Sequence, residues 1–179
     1  MAAGASIIND VSGGLADEKM FSVVANSEVD YVVMHWRGHS DVMTQLTDYV
    51  DVVAQVRTEL LNQVAAAEKS GVKSERIIID TGIGFAKTSA QNWELLRNID
   101  QFNQLGYRQL VGVSRKRFLG ELVNREAQQR DSASAAVTSW CAQHQVWAVR
   151  VHTIDPHLDA IAVTEMLSAS ADQYRSPKS

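Results

Sequence analysis

Five short apolar segments in the 179-residue chain each run into residues that can do chemistry. Asn9-Asp10 follow Ser6-Ile7-Ile8, His35 follows Tyr31-Val32-Val33-Met34, and Asp80 follows Ile77-Ile78-Ile79. Ser114-Arg115-Lys116 follow Gln109-Leu110-Val111-Gly112-Val113, and Arg150 and His152 lie at the end of the run from Val146 to Val151. Together these ends supply carboxylate, amide, hydroxyl, ammonium, guanidinium and two imidazoles. A carboxylate such as Asp80 can accept two parallel N–H donors from an amidine-like ring edge; the same residue also suits an N-cap or an Asx turn. Asn9 can donate and accept on that edge, and Asp10 beside it is an equal candidate. Lys116 can reach a ring carbonyl or nitrogen. Arg150 and His152, two apart on one strand, share a face and could clamp an anion.

Elements of one kind must carry these residues. The five segments are nearly continuous in apolar side chains, as strands buried on both faces of a parallel sheet are. Helical patterns separate them, at Asp17 to Asn26, Asp48 to Ser70, Ser89 to Leu105, Phe118 to Val123, Ser132 to His144 and Pro156 to Ser168. In the longest, Tyr49, Val53, Val56, Leu60, Val64 and Ala67 recur at threes and fours and share one face. Gly71 is placed to cap its end, and Pro156 suits a first helical turn. Alternation of strand and helix predicts an α/β fold with right-handed crossovers, whose ligands bind beyond the carboxyl ends of the strands. All five polar groups stand there. A closed eight-unit barrel needs about 250 residues and rarely fewer than about 200, so it is hard to fit into this length.

Composition narrows the function further. With 45% hydrophobic and 21% charged residues the chain is an ordinary globular one, not a disordered segment. A net charge of -4 gives no electrostatic reason to expect nucleic acid. No run of about 18 uncharged apolar residues predicts a membrane span. A lone cysteine, Cys141, in an apolar helix reads as a small core residue. With no signal-peptide pattern at Met1, the expected compartment is the cytoplasm. The turn Thr81-Gly82-Ile83-Gly84-Phe85-Ala86-Lys87-Thr88 satisfies neither the dinucleotide fingerprint nor the P-loop spacing. His35 and His39 lie in a loop without helical character and give no zinc pattern, and His157 is expected to be exposed in the first turn of its helix.

In their order along the chain, Asn9-Asp10-Val11-Ser12-Gly13-Gly14, Val33-Met34-His35-Trp36-Arg37-Gly38, Asp80 to Lys87, Gly112 to Gly120 and Arg150-Val151-His152 resemble the carboxyl-terminal two thirds of the dihydropteroate synthase family, the folate-pathway enzymes that sulfonamides inhibit. That resemblance implies part of a (β/α)8 TIM barrel: five parallel strands, units four to eight, with outer helices in a domain over 1–168, and a polar tail over 169–179. It implies condensation of dihydropterin pyrophosphate with p-aminobenzoate, releasing pyrophosphate. Asn9 and Asp80 would hold the pterin edge and Lys116 its carbonyl and ring nitrogen. Met34 and Phe85 would form apolar wall, Phe85 near the aminobenzoate pocket, and Ser114 would help fix the aminobenzoate carboxylate. Arg150 would pack on the pterin and join His152 around the departing diphosphate, so Lys116, Arg150 and His152 stand nearest the chemistry. Magnesium is implied too, but the asparagine that binds it in the family has no counterpart in this sequence, and no metal ligand is assigned here. The same family implies a homodimer. Because the family's first three strands lie upstream of anything matched here, weak pterin binding and little turnover are expected of the chain alone. Thr81 and Thr153 stand where the family usually has proline and aspartate. Two alternatives are pterin-dependent methyl transfer to a corrinoid protein and a non-enzymatic pterin-binding paralogue. The Ser-Arg-Lys and Arg-Val-His elements favour the synthase.

Overall fold

The structure, a computed structural model, describes residues 4–39 and 41–169. In chain order the elements are β1 (Ile7–Asp10), α1 (Met20–Ala25), β2 (Asp30–Met34), α2 (Val52–Lys69), β3 (Ile77–Asp80), α3 (Ser89–Arg97), α4 (Asp100–Asn103), β4 (Arg108–Val111), α5 (Arg117–Val123), α6 (Asp131–Gln143), β5 (Ala148–Val149) and α7 (Asp155–Ser168). The sheet order is β1-β2-β3-β4-β5 and every pair is parallel. A strand order that never reverses has no switch point, which separates this fold from a doubly wound sheet. Right-handed crossovers stepping one way place the helices on one side, and the result is an arc of a TIM barrel with helices outside, as the sequence predicts.

Local signals set the boundaries. Asp51 caps α2 by accepting from Ala54 N–H at 2.9 Å. The helix stops in a Schellman turn, Gly71 N–H donating to Glu68 O at 2.9 Å and Val72 N–H to Ala67 O at 3.1 Å. Thr88 and Gln91 form a capping box that starts α3. The single helix expected over Ser89 to Leu105 is two: Asn98 turns its side-chain amide back to Glu94 O at 2.9 Å and leaves helical geometry, ending α3. The last strand is shorter than its apolar run, because Val146 closes the end of α6 by donating to Cys141 O at 3.0 Å. Asn9 and Asp10, expected just after the first strand, lie inside it.

One face of the sheet packs on the helices. Tyr31, Val33, Ile77, Ile79 and Val111 meet Val53, Val56, Leu60, Val64 and Ala67 of α2 and Leu95 and Phe102 of the next crossover in a continuous buried core. Tyr49 packs against this core from outside the helix. Cys141 is 2% exposed, and burial pushes its thiol up to about 12, as expected of a core residue and not a nucleophile. His157 is the opposite of its expectation. It is 2% exposed because α7 packs closely on α6, and its Nδ1 lies 2.6 Å from Thr138 Oγ1. Of the polar tail expected over 169–179, residues 170–179 lie outside the described residues.

Candidate active site

Strand register brings the predicted residues together. Asn9 is opposite Val32, Met34 opposite Asp80, Asp80 opposite Leu110, and Leu110 opposite Ala148. Laterally paired residues share a face, so Asn9, Met34, Asp80 and, two residues beyond Ala148, Arg150 all project from the side away from the helices. A carboxylate at that position is 1% exposed.

Asp80 makes the Asx turn that its sequence context allows. Oδ1 accepts from Gly82 N–H at 2.8 Å, which fixes the side chain. Oδ2 stands 2.9 Å from Arg150 Nη2 as an ion pair and accepts no hydrogen bond, so this buried oxygen keeps hydrogen-bonding capacity unfilled. Arg150 reaches across the sheet with Nη1 donating to Asn9 Oδ1 at 2.9 Å. Residue 112 being glycine leaves it room to do so: a Cβ there would stand 2.5 Å from Nη2, and the guanidinium would have to shift. One guanidinium thus lies against both residues predicted to receive an amidine-like edge, which is itself a planar N–C–N group.

Lys116 enters from the loop after β4. Its Nζ donates to Ile83 O and lies 4.5 Å from the centre of the Phe85 ring. A Cβ at Gly84 would meet Lys116 Cδ at 2.7 Å, so the Gly-x-Gly turn is shaped to let this lysine lie over it. Burial pushes the ammonium down to about 8; Asp80 opposes that and Arg150 adds to it. Arg115, between Ser114 and Lys116, points outward. Its backbone is left-handed (φ 60) and its Nε and Nη2 donate to Asp131 Oδ1 and Oδ2, both at 2.8 Å. That fork pins the loop so that its neighbours face the sheet's polar end.

Ser114 and His152 are partners. Ser114 Oγ accepts from His152 N–H at 3.2 Å and lies 3.0 Å from His152 Nδ1. Thr153, at the family's usual aspartate position, is therefore not the support of this imidazole; the serine is. Asp10 does structural work. It accepts from Ser12 N–H and Oγ at 2.9 Å, from Gly14 N–H at 2.8 Å and from the Tyr31 hydroxyl at 3.1 Å. Burial opposes its charge, but these bonds outweigh it and hold the carboxyl below the usual range.

A cavity of about 650 Å³ adjoins Lys116 and Phe85, bounded also by Met43, Thr47 and Phe118. Magnesium finds no cradle here. Among the described residues no cluster of three or more acidic, histidine or cysteine side chains could hold a metal. Asp80 Oδ2 is already ion-paired with Arg150 and Asp80 faces the Lys116 charge as well, and Asp10 is fully engaged. Those residues do not fit a divalent cation.

Sequence reasoning missed a buried pair behind this site. Lys87, 8% exposed, donates from Nζ to Gly82 O, Phe85 O and His35 Nδ1 at 3.1, 3.0 and 3.0 Å. The signal was present: a lone lysine inside a glycine-rich turn between a buried strand and a helix.

Known proteins resemble this chain over most of its length. The family model described as pterin binding enzyme matches residues 1–152. The chain is 42% identical over 167 residues to the dihydropteroate synthase of Mycobacterium leprae, covering 89% of this chain and 59% of that one. A solved dihydropteroate synthase from Thermus thermophilus, in complex with 6HMPPP, superposes with a TM-score of 0.87 at 37% identity, over 94% of this chain and 66% of that one. One from Xanthomonas albilineans with 4-aminobenzoic acid gives 0.87 at 38%, over 94% and 60%. The chain spans 57% to 60% of the length of the curated dihydropteroate synthases it matches.

Proposed function

This chain belongs to the pterin-binding enzyme family, and from that premise we propose that it holds the pterin substrate of a dihydropteroate synthase, the enzyme that joins dihydropterin pyrophosphate to p-aminobenzoate. The observation that carries the reading is the unfilled Oδ2 of Asp80, a buried carboxylate oxygen flanked by a guanidinium and an ammonium. A pterin presents two N–H donors on the edge of its aminopyrimidinone ring and a carbonyl beside them. The donors suit Asp80 Oδ2, with Asn9 on the same edge; the carbonyl and adjoining ring nitrogen suit Lys116. Arg150 leaves Asp80 and Asn9 when that edge arrives and lies on the ring, with Met34 as wall.

In this reading the carbon–oxygen bond to the diphosphate breaks first, the electron pair leaving with the diphosphate and the positive charge delocalised over the pterin. The aminobenzoate nitrogen then attacks that carbon and loses a proton. No side-chain nucleophile is required, and the residues act by orientation and by placing charge. Arg150 and His152 face the departing diphosphate, and Ser114 holds the imidazole toward it. Phe85 and the cavity beside Lys116 receive the aminobenzoate ring. The magnesium expected of the family would be held by something other than the described residues. The two substrates, a homodimer and a cytoplasmic location follow from the same family reading, and among the described residues no helix is long and apolar enough to cross a membrane.

Calorimetric titration of the chain with 6-hydroxymethylpterin tests the proposal. A saturable one-to-one isotherm, displaced by isocytosine, which carries the same ring edge, is expected. No saturable heat at millimolar pterin refutes it.

A further inference from the structure

Outside the site lie an apolar groove of about 420 Å³ between Trp93, Leu119 and Trp140 and a cavity between β5 and α7. The buried Lys87 cluster points to the site itself, because every bond it makes ends on a residue that holds the site.

An ammonium has three protons, and Lys87 spends one each on Gly82 O, Phe85 O and His35 Nδ1. Gly82 is the residue whose N–H fixes Asp80 Oδ1. Phe85 carries the ring under Lys116. His35 is the first residue beyond β2, and its N–H donates to Asp80 O at 2.8 Å. Lys87 therefore ties both ends of the turn after β3 to the end of β2. Behind His35, which is 0% exposed, its Nε2 lies 2.9 Å from Glu59 Oε2 on α2, and Glu59 accepts from Arg37 Nε at 2.9 Å and Nη2 at 2.5 Å.

We propose that Lys87 is a positioning residue for the pterin site: its ammonium, oriented by the His35–Glu59–Arg37 chain, sets where the Asp80 carboxylate and the Phe85 ring stand. The partners assign the tautomer. Burial, then the nearby Lys87, hold His35 neutral with its pKa down at about 4, so Nδ1 is the acceptor and Nε2–H donates to Glu59. Glu59 keeps its charge because the Arg37 and His35 hydrogen bonds pull its carboxyl down to about 2. Burial pushes Lys87 down to about 7 against the pull of Asp80, with Lys116 and Arg37 adding to the depression. Glu59 joins Asp80 in opposing that fall.

The inference rests on the pterin reading, and its test separates the two. Affinities for 6-hydroxymethylpterin and for inorganic diphosphate are measured by calorimetry on wild type, Lys87→Met and Glu59→Gln, with melting curves for each. Lys87→Met is expected to weaken pterin at least tenfold while diphosphate, met by Arg150 and His152, changes less than twofold. Glu59→Gln, at a side chain 37% exposed and outside the pocket, is expected to weaken pterin about threefold in a variant that melts lower than wild type but still cooperatively. A purely structural lysine would lower both affinities together or neither, and either result overturns the proposal. If Lys87→Met does not fold, Glu59→Gln decides alone: unaltered pterin affinity refutes the positioning role. Wild type that binds diphosphate but no pterin overturns the functional reading and this inference with it.

Discussion

Replacing Asp80 by asparagine changes one oxygen for an NH2 group and leaves volume and shape alone. Oδ1 is held by Gly82 N–H at 2.8 Å, so the asparagine must keep its amide oxygen there and turn its NH2 toward the ligand. The pterin's N–H donors then face a donor where they had faced a charged acceptor. At 1% exposure no water can enter to repair this. Hydrogen bonds to a charged group contribute about 1.5–3 kcal/mol, and an unmade buried one adds about 1–3 kcal/mol of desolvation. A loss of roughly 2.5–6 kcal/mol follows, which is from about 60-fold to about 10⁴-fold in Kd. Calorimetry with 6-hydroxymethylpterin measures it on Asp80→Asn and wild type, with far-ultraviolet circular dichroism as the check on folding. A ligand without the 2-amino group closes the cycle: it keeps one N–H donor, so it should bind wild type more weakly and lose less affinity on the substitution than the pterin does. A Kd within twofold of wild type, in a folded variant, would refute the placement of the pterin edge on Asp80.

Ser114→Ala removes the partner of His152 Nδ1 without touching Asp80 or Lys116; diphosphate affinity should fall about threefold to tenfold, consistent with one lost hydrogen bond of about 1 kcal/mol, while pterin affinity stays level by the same titrations. Acid should destabilise the protein in two overlapping windows. The pKa of His35 in the fold is down at about 4, so the unfolded chain binds a proton the native state refuses and stability falls as pH drops from about 6.5 toward 4. Glu59, depressed to about 2, contributes stability that is complete above its ordinary 4.5 and lost between there and 2. Melting temperatures of wild type and Glu59→Gln across pH 2–7 check this, the variant being expected to show the shallower fall below 4.5.

Much of the site was legible in the sequence because strand ends announce themselves. A buried strand is a run of apolar residues, and the first polar residue after it must meet solvent or a ligand. Asp80, Lys116 and Arg150 were found that way, and the parallel arc needed to align them followed from the alternation of strands and helices. Whether Asn9 or Asp10 lies on the face of the sheet away from the helices depended on side-chain direction in β1, and only the lateral pairing of Asn9 with Val32 decided it. His157 looked exposed because its position in a first turn says nothing about which neighbour packs on that turn.

By itself, then, the sequence determined the kinds of element, their order and the chemistry at their ends, since those depend on residues close along the chain. Tertiary structure decided which ends meet. Arg150 bridges to Asn9 across 141 residues, Lys87 reaches His35 across 52, and His152 finds Ser114 across 38. Such contacts depend on sheet register and curvature, and on glycines that leave room for a side chain to cross. No periodicity along the chain encodes the distance between two strands that its crossovers have brought side by side.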